Sequence, residues 1–172
     1  GKAESGALDL GDEVQINAAF EGLVQTHGKF DGLVCTPAIN VRKPILEYSL
    51  AEFDKVVNLN LRGNFAALMA AGRIMTAQKS GSIVLFSSIR SIVTEPGQSV
   101  YSMTKAGILQ LARTAAVEWG TLGVRVNAVG PGVVETPLTA PIKANAAWYN
   151  AYAMKNPMNR WARADEMAGP TV

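Results

Sequence analysis

The chain is 172 residues long, 48% hydrophobic, and carries 16 Lys and Arg against 14 Asp and Glu, a formal net charge of +2. Such a chain can bury one core, and charges of both signs scattered along it leave no electrostatic footprint for nucleic acid. The single cysteine (Cys35) excludes an internal disulfide and the single histidine (His27) a multi-histidine metal site; no apolar run is long enough to span a bilayer, so a reducing cytoplasmic setting is the expectation.

In chain order, Ala7-Leu8-Asp9-Leu10-Gly11-Asp12 is a short apolar piece ending in acids, read as a strand. A helical pattern follows through Val14, Ile16, Ala19, Phe20, Leu23 and Val24, and His27-Gly28 suits its carboxyl end. Phe30 to Cys35 is the next strand, whose apolar setting makes Cys35 a buried structural thiol. Ser49 with Glu52 is a capping-box signature, announcing a long helix through Phe53, Val56, Val57, Leu61, Phe65, Leu68 and Met69. Ile83 to Phe86 is a strand, Val100 to Trp119 a helix, and Val124 to Val129 the last clear strand. Beyond Pro131 the pattern loosens into a flexible, Pro- and aromatic-rich segment, Val133 to Tyr152, suited to a substrate lid. Alternating elements of this kind predict an α/β fold with a doubly wound parallel sheet.

Tyr101 and Lys105, four positions apart, share one helix face, so the ammonium can stand beside the phenol and favour its ionised form. Ser88 ends the apolar run from Ser82 and so falls at the carboxyl end of a buried strand, where open α/β sheets bind ligands. A ketone reduced by hydride develops negative charge on oxygen, which a site must stabilise and protonate. A serine donor beside a tyrosine acid suits both tasks.

Three blocks, Gly81-Ser82-Ile83-Val84-Leu85-Phe86-Ser87-Ser88, Tyr101-Ser102-Met103-Thr104-Lys105-Ala106-Gly107 and Val124-Arg125-Val126-Asn127-Ala128-Val129-Gly130-Pro131-Gly132, occur in the order and spacing that resemble the short-chain dehydrogenase/reductase family. The resemblance implies residues 1–172 as one partial Rossmann-type catalytic domain using NAD or NADP on a small alcohol or ketone. It also implies a homotetramer or homodimer, no nucleic acid, membrane or metal, and long helices that pair between subunits. Tyr101 would be the acid and, in the reverse direction, the base; Ser88 would donate to the substrate oxygen; Lys105 would lower the phenol's pKa and hold the ribose hydroxyls of the nicotinamide. Asn60 would order a water in the proton relay. For the cofactor, Asp9 with Leu10 would receive the adenine, Thr36, Pro37 and Ala38 the adenosine, and Pro131, Gly132, Val134 and Thr136 the nicotinamide and its carboxamide.

Two departures from the family pattern bear on these expectations. The family's opening strand, glycine-rich turn and helix have no counterpart here, nor does its final strand, so the chain is expected to enter the fold near the third strand. Cys35-Thr36-Pro37-Ala38 stands where the family usually has Asn-Asn-Ala-Gly, which predicts a bent, still functional turn whose cost would be weaker cofactor binding or looser packing. Arg42, Lys43 and Arg90 place basic groups near the site, with Ser88, Arg90 and Tyr101 as the substrate set; this suits a sugar, polyol or sugar acid. The alternatives are a 3-oxoacyl-thioester reductase with the same tetrad, or an inactive scaffold without cofactor.

Overall fold

In the computed structural model, which describes residues 3–172, three strands form a parallel sheet in the order β1 (Gly32–Cys35), β2 (Gly81–Phe86), β3 (Val124–Val129). Gly32 stands opposite Ser82, and Gly81 opposite Val124. On the central strand Ile83, Val84 and Leu85 are buried in succession, so both faces of β2 are covered. On β3 only alternate residues, Val124 and Val126, are buried, leaving Arg125 and Asn127 outward. The observed architecture is the Rossmann-like α/β arrangement that the alternating pattern predicts.

Helices α1 and α2 begin where the sequence provides a side-chain cap. Helix α1 (Glu13–His27) starts on Asp12, whose carboxylate accepts from Val14 and Gln15, and stops at Gly28 in the left-handed region. Helix α2 (Leu50–Val57) carries the full capping box of Ser49 and Glu52. The long helix read from Phe53 to Met69 is not uniform: a π-helical stretch, Asn58–Gly63, separates α2 from α3 (Asn64–Gln78). Helix α4 (Ser99–Trp119) returns the chain to β3. Ile16 and Phe20 of α1, Leu68, Ala71 and Met75 of α3 and Ile108, Ala112 and Ala115 of α4 close one core over the strands.

The piece Ala7 to Leu10 is not a strand. Asp9 turns the chain back on itself: its Oδ1 accepts the Gly11 N–H at 2.8 Å and its carbonyl the Asp12 N–H at 3.1 Å, an Asx turn that draws the backbone groups into a local loop instead of a ladder. After β3 the chain forms a strap with short helices α5 (Ala140–Lys143) and α6 (Ala146–Ala153) and 3-10 turns at Ala164–Met167 and Gly169–Thr171. The expected loose segment has a core of its own. Tyr149 stacks on Trp161 with centroids 5.1 Å apart, and the Trp161 indole N–H reaches the Tyr149 carbonyl at 3.0 Å.

Entry into β3 depends on Gly123. Its φ is +81°, and a Cβ there would sit 2.2 Å from the Lys79 carbonyl oxygen at the end of α3. Gly123→Ala should therefore destabilise the protein by about 3 kcal/mol, from left-handed strain plus a backbone clash. Gly120→Ala, in open space with helical φ, should be neutral. Urea unfolding of the two variants checks this; equal midpoints would remove the close approach as a constraint.

Candidate active site

The carboxyl ends of the three strands open onto one cleft of about 490 Å³. Thr36 and Ala38 follow β1, Phe86, Ser87 and Ser88 end β2, and Pro131, Gly132, Val134 and Thr136 follow β3; Tyr101 and Lys105 reach in from the first turns of α4. The sequence reading missed the rest of the lining: Phe86, Ser87, Pro137, Leu138, Thr139, Ala164 and Met167. No periodicity marks the strap residues among these, because their place depends on how the strap folds back.

Beside Ser88, Ser87 provides the register between strand and helix. Its hydroxyl donates to the Lys105 carbonyl at 2.7 Å, and the Lys105 ammonium donates to the Phe86 carbonyl at 2.7 Å, so β2 and α4 are tied at two points. Ser88 is buried, and its Oγ accepts the Arg90 N–H at 3.2 Å, leaving the hydroxyl's own proton free to point elsewhere. Sequence could not separate the two serines' tasks, since both follow the same apolar run.

Electrostatics here differ from the simple Tyr-Lys pairing. Burial raises the Tyr101 phenol above its ordinary pKa, while the Ser88 side chain and the Arg90 charge pull it down; Lys105 is not among its main influences. The reason is geometric: the ammonium turns to the Phe86 carbonyl and lies 5.7 Å from the centre of the Tyr101 ring. Lys105 itself is lowered to about 8 by burial, against a weak opposing pull from Cys35. Cys35 is buried as expected, and its thiol is raised to about 11 by desolvation.

Asn60 sits in the π-helical stretch, fully buried. Its Oδ1 accepts the Ile39 N–H and its Nδ2 donates to the Ile39 carbonyl, both at 2.8 Å; Nδ2 also reaches Thr104 Oγ1 at 3.3 Å, whose hydroxyl donates to the Tyr101 carbonyl at 2.9 Å. The carboxamide thus joins the loop after β1 to the turn carrying Tyr101, and does not line the cleft. Leu10 packs on the same widened helix: a Cβ on Gly63 would lie 3.0 Å from the Leu10 carbonyl oxygen, and Arg62 donates to the Gly11 carbonyl at 3.2 Å. Asp9, exposed on that loop, and half-buried Pro37 also stand outside the cleft.

The basic residues proposed to meet substrate are already paired. Arg90 lies 2.7 Å and Arg42 2.9 Å from Glu95, and Lys43 2.7 Å from Glu52. Arg90 does not line the cleft, so its expected role as a substrate contact gives way to an electrostatic one beside Tyr101. Among the described residues, no cluster of His, Cys, Asp and Glu could hold a metal, and no helix is long and apolar enough to cross a membrane.

The parallel sheet and the cleft at its strand ends define a Rossmann-like α/β protein. A family model described as "Enoyl-(Acyl carrier protein) reductase" matches residues 1–172, and the chain belongs to the short-chain dehydrogenase/reductase family. It is 33% identical over 168 residues to a 3-oxoacyl-(acyl-carrier-protein) reductase of Thermotoga maritima, covering 98% of this chain and 68% of that protein. Levodione reductase of Leifsonia aquatica is 34% identical over 171 residues, covering 93% and 62%. The crystal structure of a gluconate 5-dehydrogenase from Burkholderia cenocepacia, in complex with NADP and tartrate, superposes with a TM-score of 0.92 at 27% identity, covering 95% of this chain and 64% of that one. The chain thus spans about two thirds of the length of these relatives.

Because folding lowers Lys105 to about 8, the unfolded chain, with an ordinary lysine pKa near 10.4, binds the extra proton between those values. Stability from this group therefore rises as pH rises from about 8 to about 10.4. Subtracting Lys105→Met from wild type in urea titrations isolates the contribution, which should grow in favour of wild type across that window. Parallel pH curves for the two proteins would show that burial leaves the lysine's proton affinity unchanged.

Proposed function

We propose that the chain is the catalytic core of an NAD(P)-dependent oxidoreductase interconverting a secondary alcohol and a ketone, with a sugar or polyol as substrate. The observation that supports it is the meeting of Ser88, Tyr101 and Lys105 at one cleft, at the carboxyl ends of the strands. The residues present fit the cofactor. Lys105 is a buried ammonium with no carboxylate partner among the described residues and a single protein hydrogen bond, leaving two donors for a vicinal diol such as a ribose. When bound, the nicotinamide supplies or accepts the hydride.

The protein's part is orientation and proton transfer. In reduction Tyr101 gives its phenolic proton to the substrate oxygen and in oxidation takes it back; the Ser88 hydroxyl, its oxygen held by the Arg90 N–H, donates to that same oxygen. Asn60 acts from behind, fixing the height of Tyr101 through Thr104. Thr36 and Ala38 would border the adenosine, with Pro37 stiffening the turn between them and Asp9 on the loop beside Gly63 for the adenine, and Pro131, Gly132, Val134 and Thr136 would border the nicotinamide. With Arg42, Arg90 and Lys43 neutralised, uncharged hydroxyl-bearing substrates suit the cleft better than acids. A 3-oxoacyl thioester is the second reading, favoured by the apolar wall of Val134, Leu138 and Met167.

Fluorescence titration with NADH and NADPH, then rates on a polyol panel and on a β-ketoacyl thioester, separates these. Tyr101→Phe should lower kcat at least a hundredfold while cofactor affinity stays within about threefold, since general acid catalysis contributes about 10²–10⁴. Rates like wild type would sink the mechanism, and turnover of the thioester alone would decide for the second reading.

Assembly as a homotetramer or homodimer, in a reducing cytoplasm that keeps Cys35 a thiol, completes the proposal. Phe65 is exposed on α3 and lines an apolar groove with Val57, Leu61 and Leu111. Phe65→Asp should dissociate the assembly in sedimentation velocity; an unchanged coefficient would place the interface elsewhere.

A further inference from the structure

Outside the cleft, one carboxylate gathers four partners from three parts of the chain. Glu95 Oε2 lies 2.7 Å from the Arg90 guanidinium and 3.1 Å from the Lys155 ammonium; Oε1 lies 2.9 Å from Arg42 and accepts from the Tyr152 hydroxyl. Arg42 also donates to the Tyr152 hydroxyl at 2.9 Å and stands 5.5 Å from the centre of the Trp148 ring, while Lys155 stands 4.7 Å from that of Tyr152. The Glu95 side chain is 11% exposed. Burial alone would raise its pKa, but the Tyr152 hydroxyl, Lys155, Arg90 and Arg42 outweigh burial and hold the carboxyl at about 2.

The cluster joins pieces that share little apolar contact. Arg42 belongs to the loop after β1, Arg90 and Glu95 to the segment after β2, and Trp148 to Lys155 to α6 and its end. The apolar contacts of α6 run inward, to Trp161 and Ile142, forming a cluster separate from the main core. What meets the body from α6 is therefore chiefly charge and hydroxyl. The same strap supplies Val134, Thr136, Leu138 and Thr139 to the cleft wall.

We propose that Glu95 is a positioning residue: its carboxylate pins α6 to the loops after β1 and β2 and so holds the strap that walls the cleft. This rests on reading the cleft as the cofactor and substrate site. A single acid bridging three cations suits the task, because like charges left without it would push the same pieces apart.

Hydrogen–deuterium exchange of the full-length protein tests the pin directly. In Glu95→Gln, amides of residues 140–154 should exchange at least tenfold faster, with β2 and α4 unchanged, and the dissociation constant for NADPH should rise about fivefold. Glu95→Asp, which keeps the charge, should recover part of both effects. Strap exchange within twofold of wild type would overturn the proposal; so would acceleration spread equally over β2 and α4, which marks a merely structural residue. Were wild type to show no saturable NADPH binding, the oxidoreductase reading would fall, while the exchange comparison in the free protein would still decide the role of Glu95.

Discussion

A buried carboxamide decides where the loops of this protein go. Asn60 meets both backbone groups of Ile39 as a neighbouring strand would, although the chain there has left the sheet. It can do so because the helix widens at Asn58–Gly63. In a regular α-helix, the extra residue would be absent and the side chains that follow would be rotated. The widened turn has its own carbonyls attended to: Asn64 Nδ2 donates to Asn60 at 3.0 Å and approaches Leu59 at 3.3 Å. Gly63, free of a Cβ, then lets the loop bearing Asp9 lie against the other side. One irregular turn thus places the two loops proposed to border the nucleotide, and through Thr104 it reaches the turn of Tyr101.

The second constraint is a charge kept where it is uncomfortable. Lys105 is buried, has no carboxylate partner among the described residues, and is lowered to about 8. Replacing it by an apolar residue would relieve that desolvation, so the position is better explained by a ligand than by stability. Tyr101 beside it is raised by burial, and the groups that oppose the rise, Ser88 and Arg90, lie on the strand side and not along its own helix. The two members of the sequence motif are each perturbed by their surroundings more than by each other.

Much of this was legible in the residues. Asp12, Gly28, and Ser49 with Glu52 announce their helix ends because capping is local chemistry. The buried run of β2 and the spacing to Tyr101 and Lys105 place the site at a strand end because topology leaves few alternatives. What escaped depends on non-local partners. Asp9-Leu10 reads as apolar strand yet turns on an Asx bond, and the apolar pattern from Phe53 to Met69 hides a π stretch, since its gain lies in contacts with Ile39 and Leu10. Arg42, Lys43 and Arg90 look available in sequence; only the fold brings Glu95 and Glu52 to them.

The unusual turn Cys35-Thr36-Pro37-Ala38 follows from the same logic. A loop that shaped itself would need side chains such as asparagine to hold its own backbone, and proline would remove a donor it required. Here the turn is held from the helix side: Asn60 takes Ile39 and Asn64 Nδ2 lies 3.4 Å from the Pro37 carbonyl. With its anchors outside the turn, the intervening positions are released from structural duty. Cys35 can serve the core, Pro37 can stiffen the bend, and Thr36 and Ala38 can face the cleft. The methyl of Ala38 makes that wall less open than glycine would. Any loss of affinity from this turn is therefore a matter of contact with the nucleotide and not of a disordered loop.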